Sequence, residues 1–309
     1  MDNLTHSLIG AALGQAGLKR KTGLAMPALI MAANLPDIDA ACFFWLDGTE
    51  HLGFRRGITH GPIAMALLPL LLAGALWGFD RWQTGRGKRP EGRLPVSFKW
   101  LFLLSLIGCL SHPLFDWFNN YGVRLLEPFS SKWFYGDTLF IIDVWILIAL
   151  GIGVWRSLRS ERATKPNWTA PAQIALVVMT AYIGVNMTIS RTAAAAVQVI
   201  EPKAQTTVAN PLPIAFWRRD VLWRSGDGFY GTVPCTLAQC QPYPRTIRKT
   251  GMADPRIAAW AKGDPQAEAF LFWSRMPVAQ PGPKGILLTD QRFMDNPARA
   301  TFTVALEPR

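Results

Sequence analysis

Five apolar segments, each long enough to cross a lipid bilayer, constrain the fold of this chain more than any other feature. They cover approximately residues 23–45, 58–79, 98–118, 138–155 and 170–190, and a crossing helix needs about 20 apolar residues. Half of the 309 residues are hydrophobic and only 17% are charged, which is too apolar for an ordinary soluble domain. The sequence predicts an α-helical polytopic membrane domain.

A sixth apolar stretch, residues 4–18, is short for a full crossing. It lacks a preceding basic segment and a clear small-residue cleavage site, so we interpret it as a short helix that is retained rather than as a signal peptide. The membrane domain is therefore expected to comprise residues 1–190, with five to six helices.

Basic residues predict the orientation of this domain. The connections at residues 19–21, 81–99 and 156–165 are rich in Lys and Arg, whereas the alternate connections are poor in them. Because basic loops stay in the cytoplasm, we expect a multi-pass protein of the bacterial inner membrane whose chain after residue 190 is periplasmic or extracellular. The net charge of +11 reflects this distribution, so nucleic acid is not an expected partner.

The C-terminal region, residues 191–309, differs in composition and is predicted to be a small strand-rich soluble domain. Alternating apolar runs predict strands at residues 220–223, 228–233, 269–273 and 300–306, with a turn at 225–228. Cys235 and Cys240 lie in this region, where an oxidising compartment makes a local disulfide plausible without establishing it. We interpret Cys42 and Cys109, which lie in apolar segments, as packing residues.

Three of the four histidines lie beside carboxylates at the ends of apolar segments, where ionisable groups are costly unless they are paired or bound to a cation. His112 and Asp116 are four residues apart, so a helix places both on one face. His60 precedes Gly61-Pro62 and is expected at a helix start, and His6 opens the first helix. Under the predicted orientation all these groups lie at the outer face.

Each of these signals also has a simpler explanation. His112 and Asp116 can form an ordinary hydrogen-bonded pair, and His6 can be an interfacial histidine. Asp37 and Asp39 repel each other unless a turn or a cation separates them, but one of them can instead cap a helix. Taken together, the motifs favour a metal site.

Two further residues are candidates for supporting roles. Arg56, four residues before His60, is placed to bind phosphoryl oxygens, although an arginine there can equally contact lipid headgroups. Asp143 lies within an apolar run, where it is expected to orient a metal ligand without binding the metal itself. We leave out His51, which has no partner at a useful spacing.

The number of donors is sufficient for two divalent ions, most simply Zn(II), that share a carboxylate. Paired ions of this kind activate water in phosphoester hydrolysis. Asp39 would then be the bridging ligand or the general base. The metal ligands would come from six residues: His6, Asp37, Asp39, His60, His112 and Asp116.

The ordered motifs Thr5-His6, Asn34-Leu35-Pro36-Asp37-Ile38-Asp39, Arg56-Gly57-Ile58-Thr59-His60 and His112-x-x-x-Asp116, with Asn119 and Tyr121-Gly122, resemble the YdjM-type family of inner-membrane metal-dependent hydrolases. That family is in turn similar to zinc-dependent phospholipase C. The resemblance covers roughly the first half of the chain. It implies a multi-zinc phosphoesterase site built from His6, Asp37, His60, His112 and Asp116. Our hypothesis is that the substrate is a membrane lipid or a lipid-linked phosphoester that approaches from the bilayer.

Other functions use the same ligands. A divalent-metal transporter or a non-catalytic metal-binding protein is the main alternative, although transporters typically place their sites near the midplane between two related halves, which this sequence does not show. Haem held by two histidines and a purely structural role are further alternatives.

Overall fold

The computed structural model describes residues 1–237, 239–241, 247–295 and 299–308. These residues form two compact units. The first comprises residues 1–38 and 56–185, and the second comprises residues 39–55 and 186–309. Residues 39–55 join the second unit because the short helix at 50–54 packs against a C-terminal helix, where the Thr49 hydroxyl donates to the Gln266 carbonyl at 2.9 Å.

Helices form the N-terminal part of the chain as predicted. The side chains of Asp2, Ser97 and Asp143 cap the N-termini of the first, fifth and sixth of these helices. The helices are α1 (Asn3–Gln15), α2 (Ala25–Asn34), α3 (Glu50–Phe54), α4 (Pro62–Gly85), α5 (Phe98–Trp117), α6 (Val144–Arg162) and α7 (Ala170–Ile200).

Four of the helical segments described are long and apolar enough to cross a membrane. They are Ala25–Phe44, in which a 3₁₀ helix (Leu35–Phe44) continues α2, together with α4, α5 and α7. The predicted segment 138–155 is displaced, because α6 starts only at Val144 and continues to Arg162. Charged residues in the last two turns of α6 make it less apolar than a typical spanning helix.

Small residues bring α1, α2 and α5 into close contact. A Cβ atom added at Gly10 of α1 would lie 2.7 Å from the carbonyl oxygen of Leu29, and one at Gly108 of α5 would lie 2.7 Å from the Cβ of Ala32. Glycine at these positions lets the helix backbones approach as closely as they do in many membrane bundles. The close packing gathers the ends of the three helices.

The second unit has strands at three of the four predicted places, and its strands form two antiparallel sheets. In the first sheet the order is β1-β2-β3-β4 with β5 paired to β3, and in the second it is β6-β7-β8. The elements are β1 (Ala204–Pro211), β2 (Arg218–Ser225), β3 (Phe229–Thr236), β4 (Gln239–Cys240), β5 (Arg248–Lys249), α8 (Pro255–Ala261), α9 (Pro265–Trp273), β6 (Pro277–Pro281), β7 (Ile286–Asp290) and β8 (Thr303–Leu306).

Local chemistry explains the hairpin between β2 and β3. The predicted turn at residues 225–228 lies between them, and Gly228 adopts φ +85°, a conformation that glycine favours. Cys235 and Cys240 form a disulfide that joins β3 to β4. Cys42 and Cys109 are buried free thiols, in agreement with a packing role.

The strand predicted at residues 269–273 is wrong, because these residues belong to helix α9. Asp264 caps the helix by accepting hydrogen bonds from the backbone N–H groups of Gln266 and Ala267, and Pro265 occupies its first turn. Phe270 and Trp273 are fully buried at a spacing of three residues. The aromatic composition resembles that of a strand, but the cap and the proline determine the outcome.

Candidate metal centre

The predicted ligands of the first unit come from the ends of four helices. His6 lies in the first turn of α1, Asp37 follows α2, His60 precedes α4, and His112 and Asp116 lie in the last two turns of α5. All five side chains are buried. Such burial is costly for histidine and carboxylate groups unless they are compensated by close partners or by a cation.

Asp116 is at the centre of the cluster. Its Oδ2 atom lies 3.5 Å from His60 Nε2 and 3.6 Å from His112 Nε2. His112 Nε2 is in turn 3.7 Å from Asp37 Oδ1. One donor atom from each of Asp37, His60, His112 and Asp116 lies within 4.8 Å of the other three, so these four residues could share one metal ion.

The spacing and chemistry of these donors fit a divalent metal ion. Zinc bonds of 2.0–2.1 Å in a tetrahedral site imply neighbouring ligand atoms about 3.3 Å apart. The closest separations measured here, 3.5 to 3.7 Å, need only a small contraction. In addition, His112 Nε2 is buried and has no hydrogen-bond partner among the described residues. A nitrogen that binds a metal is expected to have this environment.

A backbone carbonyl orients His112. The imidazole Nδ1 donates to the carbonyl of Ala33 at 2.7 Å. That carbonyl lies in the last turn of α2, and Pro36, three residues on, has no N–H with which to close a 3₁₀ hydrogen bond to it. A proton on Nδ1 leaves the lone pair of Nε2 directed at Asp37 and Asp116. Sequence motifs do not predict this contact, because its acceptor belongs to the main chain.

Thr59 orients His60 in a similar way. Its hydroxyl lies 2.9 Å from His60 Nδ1, so the nitrogen that faces Asp116 is Nε2. The motif Thr59-His60 therefore pairs a ligand with the group that fixes its ring.

The Thr59→Val variant tests this support. Valine keeps the shape of threonine but removes the hydroxyl, and we expect metal affinity to fall about 10- to 100-fold, the usual effect of losing a group that orients a ligand. Isothermal titration calorimetry with Zn(II) on metal-stripped protein measures the change. Thr59→Ser, which retains the hydroxyl, serves as control, and equal affinities of the valine and serine variants would contradict the role.

His6 lies on the other side of Asp116. Its Nε2 is 3.4 Å from Asp116 Oδ1, and its ring stacks on His112 with centroids 3.8 Å apart and an interplanar angle of 18°. The nitrogen of Met1 also contacts Asp116 Oδ1. The two oxygens of Asp116 thus face different histidines.

Arg56 is buried within the same cluster. Its Nε lies 3.0 Å from Asp116 Oδ2, its Nη1 donates to Asn119 Oδ1 at 3.2 Å, and its guanidinium lies 4.6 Å from the ring centre of Tyr121. The backbone of Arg56 has φ +55°, which is uncommon for a non-glycine residue and typical of functional sites. The guanidinium of Arg56 therefore contacts the Asp116 carboxylate and is itself held by Asn119 and Tyr121.

The remaining two candidates have other described partners. Asp39 Oδ1 lies 3.5 Å from Arg55 Nε. Asp143 caps α6 by accepting from the N–H groups of Trp145 and Ile146 at 3.1 Å, and it accepts from the Tyr182 hydroxyl at 3.0 Å. Neither belongs to the four-residue group, so their predicted catalytic roles stay predictions.

Comparison with known proteins supports the grouping of motifs. A family model described as YdjM inner membrane protein matches residues 1–193, which include all the residues of the cluster. An uncharacterised protein of Bacillus subtilis strain 168, YfhP, is 29% identical over 165 residues, covering 50% of this chain and 46% of that protein. The chain therefore spans about half the length of this curated relative. No solved structure matches the chain significantly.

Proposed function

This chain belongs to the YdjM family of inner membrane proteins, and on that premise we propose that it is a metal-dependent hydrolase. The reaction proposed is hydrolysis of a phosphoester in a lipid or lipid-linked substrate at the outer face of the inner membrane. The observation that supports this proposal is the buried set of four donors, Asp37, His60, His112 and Asp116, gathered at the ends of apolar helices.

The charges of the cluster favour an anionic substrate. A bound divalent ion, Zn(II) in this proposal, would supply a Lewis acid that polarises a phosphoryl oxygen and lowers the pKa of water. Asp37 and Asp116 carry two negative charges and Arg56 carries one positive charge, so a site that also contains a dication is net positive. In a buried environment this charge attracts a phosphate strongly.

The side chains then have distinct roles. His60 and His112 hold the ion through Nε2, because their Nδ1 atoms have other partners. Arg56 holds Asp116 in place and contributes the positive charge that binds phosphoryl oxygens. Asp39 is the proposed general base. Asp143 is proposed to orient a metal ligand without contacting the ion itself.

A second ion is also part of the proposal. Asp116 presents Oδ2 to His60 and His112, and Oδ1 to His6. Asp116 and His6 would help to hold a second ion, which would supply a further Lewis acid at the site. Asp116 is therefore a better candidate for the shared carboxylate than Asp39, whose described partner is Arg55.

An assay with a chelator tests the proposal. Purified protein in detergent is incubated with a panel of phospholipids and polyprenyl phosphates, with and without EDTA, and the released headgroup or phosphate is measured. We expect release that EDTA abolishes, that added Zn(II) restores, and that Asp116→Asn lacks. If the protein binds metal but hydrolyses no member of the panel, the chain is a metal-binding membrane protein without this activity.

A further inference from the structure

An apolar groove begins at the metal cluster and runs between α4 and α5. It has a volume of about 490 Å³, within the range of small-molecule sites. His60 lies at one end, Met65 and Ala66 line the side formed by α4, and Leu106 and Leu110 line the side formed by α5. The groove therefore connects a metal ligand to an apolar surface.

The dimensions of the groove match one leaflet of a bilayer. Along α5 its lining residues extend from Phe102 to Pro113, and the eleven steps between them rise about 16 Å in a helix. The hydrocarbon core of a bilayer is about 30 Å thick, so a single leaflet provides about 15 Å. Both α4 and α5 are long and apolar enough to cross the membrane, and Leu110 exposes 48% of its surface.

The two ends of the groove differ in polarity, as the two ends of a phospholipid do. The end at His60 adjoins Asp116 and Arg56, where the proposed site attracts a phosphate. The remaining lining consists of aliphatic, aromatic and proline side chains, which cannot donate a hydrogen bond to a polar ligand.

From these observations we infer that the groove binds one acyl chain of a glycerophospholipid whose phosphate lies at the metal cluster. This inference rests on the proposed function for the position of the phosphate. The length of the groove equals the thickness of one leaflet, which is also the length that an acyl chain of that leaflet spans. A long polyprenyl chain would extend beyond the groove. The chain contributes affinity through burial of its methylene groups, and the headgroup phosphoester is thereby held near the ligands.

Photocrosslinking in nanodiscs tests the groove without requiring catalysis. The protein is reconstituted in nanodiscs of phosphatidylethanolamine and phosphatidylglycerol that contain a phosphatidylglycerol with a diazirine on one acyl chain. After irradiation, mass spectrometry should find labels on residues 62–66 and 102–113. Leu106→Trp fills the groove and should reduce this labelling about tenfold or more, because the indole excludes several methylene groups from a favourable site.

Ile107→Trp is the matched control. Ile107 is the next residue of α5, exposes 41% of its surface and does not line the groove, so this variant adds the same side chain to the same helix. It should retain the labelling. Circular dichroism and thermal unfolding of both variants verify that they fold.

The possible outcomes distinguish a failure of the lipid-binding groove from a failure of the proposed reaction. Equal labelling of the wild type and Leu106→Trp would overturn the inference, and so would preferential labelling of these residues by a polyprenyl phosphate that carries the same diazirine. Labelling that Leu106→Trp abolishes supports the groove even if the chelator assay detects no hydrolysis, in which case only the proposed reaction fails. If hydrolysis is detected, Leu106→Trp should reduce the rate on long-chain phospholipid by a larger factor than the rate on a soluble short-chain phosphodiester.

Discussion

Asp116→Asn should abolish stable metal binding, with an affinity loss of more than about 100-fold, because a central ligand contributes more than the groups that orient it. Asp116 contacts His60, His112, His6 and Arg56 through its two oxygens. Asparagine has nearly the same shape, but it removes the negative charge that faces the ion. Plasma mass spectrometry of the purified protein measures the metal content directly.

Two further variants make this result specific. His51→Gln removes the fourth histidine, which is buried and hydrogen-bonded through Nδ1 to the Gly48 carbonyl at 2.8 Å, and it should keep the full metal content. Asp37→Asn removes a carboxylate at the edge of the cluster and should weaken binding even if Asp116→Asn folds poorly. Full metal content in both aspartate variants would show that this cluster is not the metal site.

The sequence predicted that these side chains lie close together, and it did so for a physical reason. His112 and Asp116 are four residues apart on a helix, so their contact follows from helix geometry. We expected His60 and Asp37 to lie near that pair because basic loops lie on one side of a membrane. This rule predicts that the helix ends carrying the candidate ligands lie on the opposite side of the membrane. The carbonyl of Ala33 could not be found in this way, because a main-chain acceptor has no signature in the sequence.

Asp39 illustrates what spacing alone does not determine. The sequence pairs it with Asp37, yet the chain there forms a 3₁₀ helix, Leu35–Phe44. With three residues per turn, positions two apart point about 120° away from each other. Asp37 therefore faces His112, whereas Asp39 has Arg55 as a partner.

The fold was predictable where hydrophobicity decides it and less so where tertiary contacts do. The long apolar helices and the hairpin at residues 225–228 were confirmed because length and turn chemistry specify them. The assignment of residues 39–55 to the second unit depends on packing between α3 and α9, which are far apart in the sequence. Helix α9 itself was missed because its aromatic residues outweighed the cap formed by Asp264 and Pro265.

A second large effect is expected in the C-terminal unit, where Asp290 and Arg292 form a fully buried ion pair. Arg292 Nε lies 2.8 Å from Asp290 Oδ1, and the same carboxylate accepts from the Ser274 hydroxyl at 2.6 Å and from the Met276 N–H at 3.1 Å. Asp290→Ala leaves the arginine buried without its counter-charge. We expect a loss of about 3–5 kcal/mol in the free energy of unfolding of this unit.

The pH dependence of this effect has a defined sign. Burial alone would raise the pKa of Asp290, but the charge of Arg292 and the hydrogen bonds from Arg292 and Ser274 outweigh burial and hold the pKa below its ordinary value of 3.8. A carboxyl group whose pKa is lowered on folding stabilises the protein fully above the pKa of the unfolded chain, and the stabilisation is lost as the pH falls below about 4. The difference between wild type and Asp290→Ala should therefore be largest near neutral pH and shrink in acid.

Asp254→Ala is the matched control, because Asp254 and Arg256 have the same spacing of two residues and a similar side-chain contact at 2.6 Å, but they lie at the surface. Water screens a surface pair, and the variant also removes the N-cap of α8, so it should lower the unfolding midpoint only slightly. Urea unfolding of this unit can be followed by hydrogen–deuterium exchange of the peptides that contain Asp290 and Trp273, whose ring lies 4.7 Å from the Arg292 guanidinium. If Asp290→Ala destabilises the unit no more than Asp254→Ala, or by the same amount at pH 3 as at pH 7, the buried pair does not stabilise this unit in the way its geometry implies.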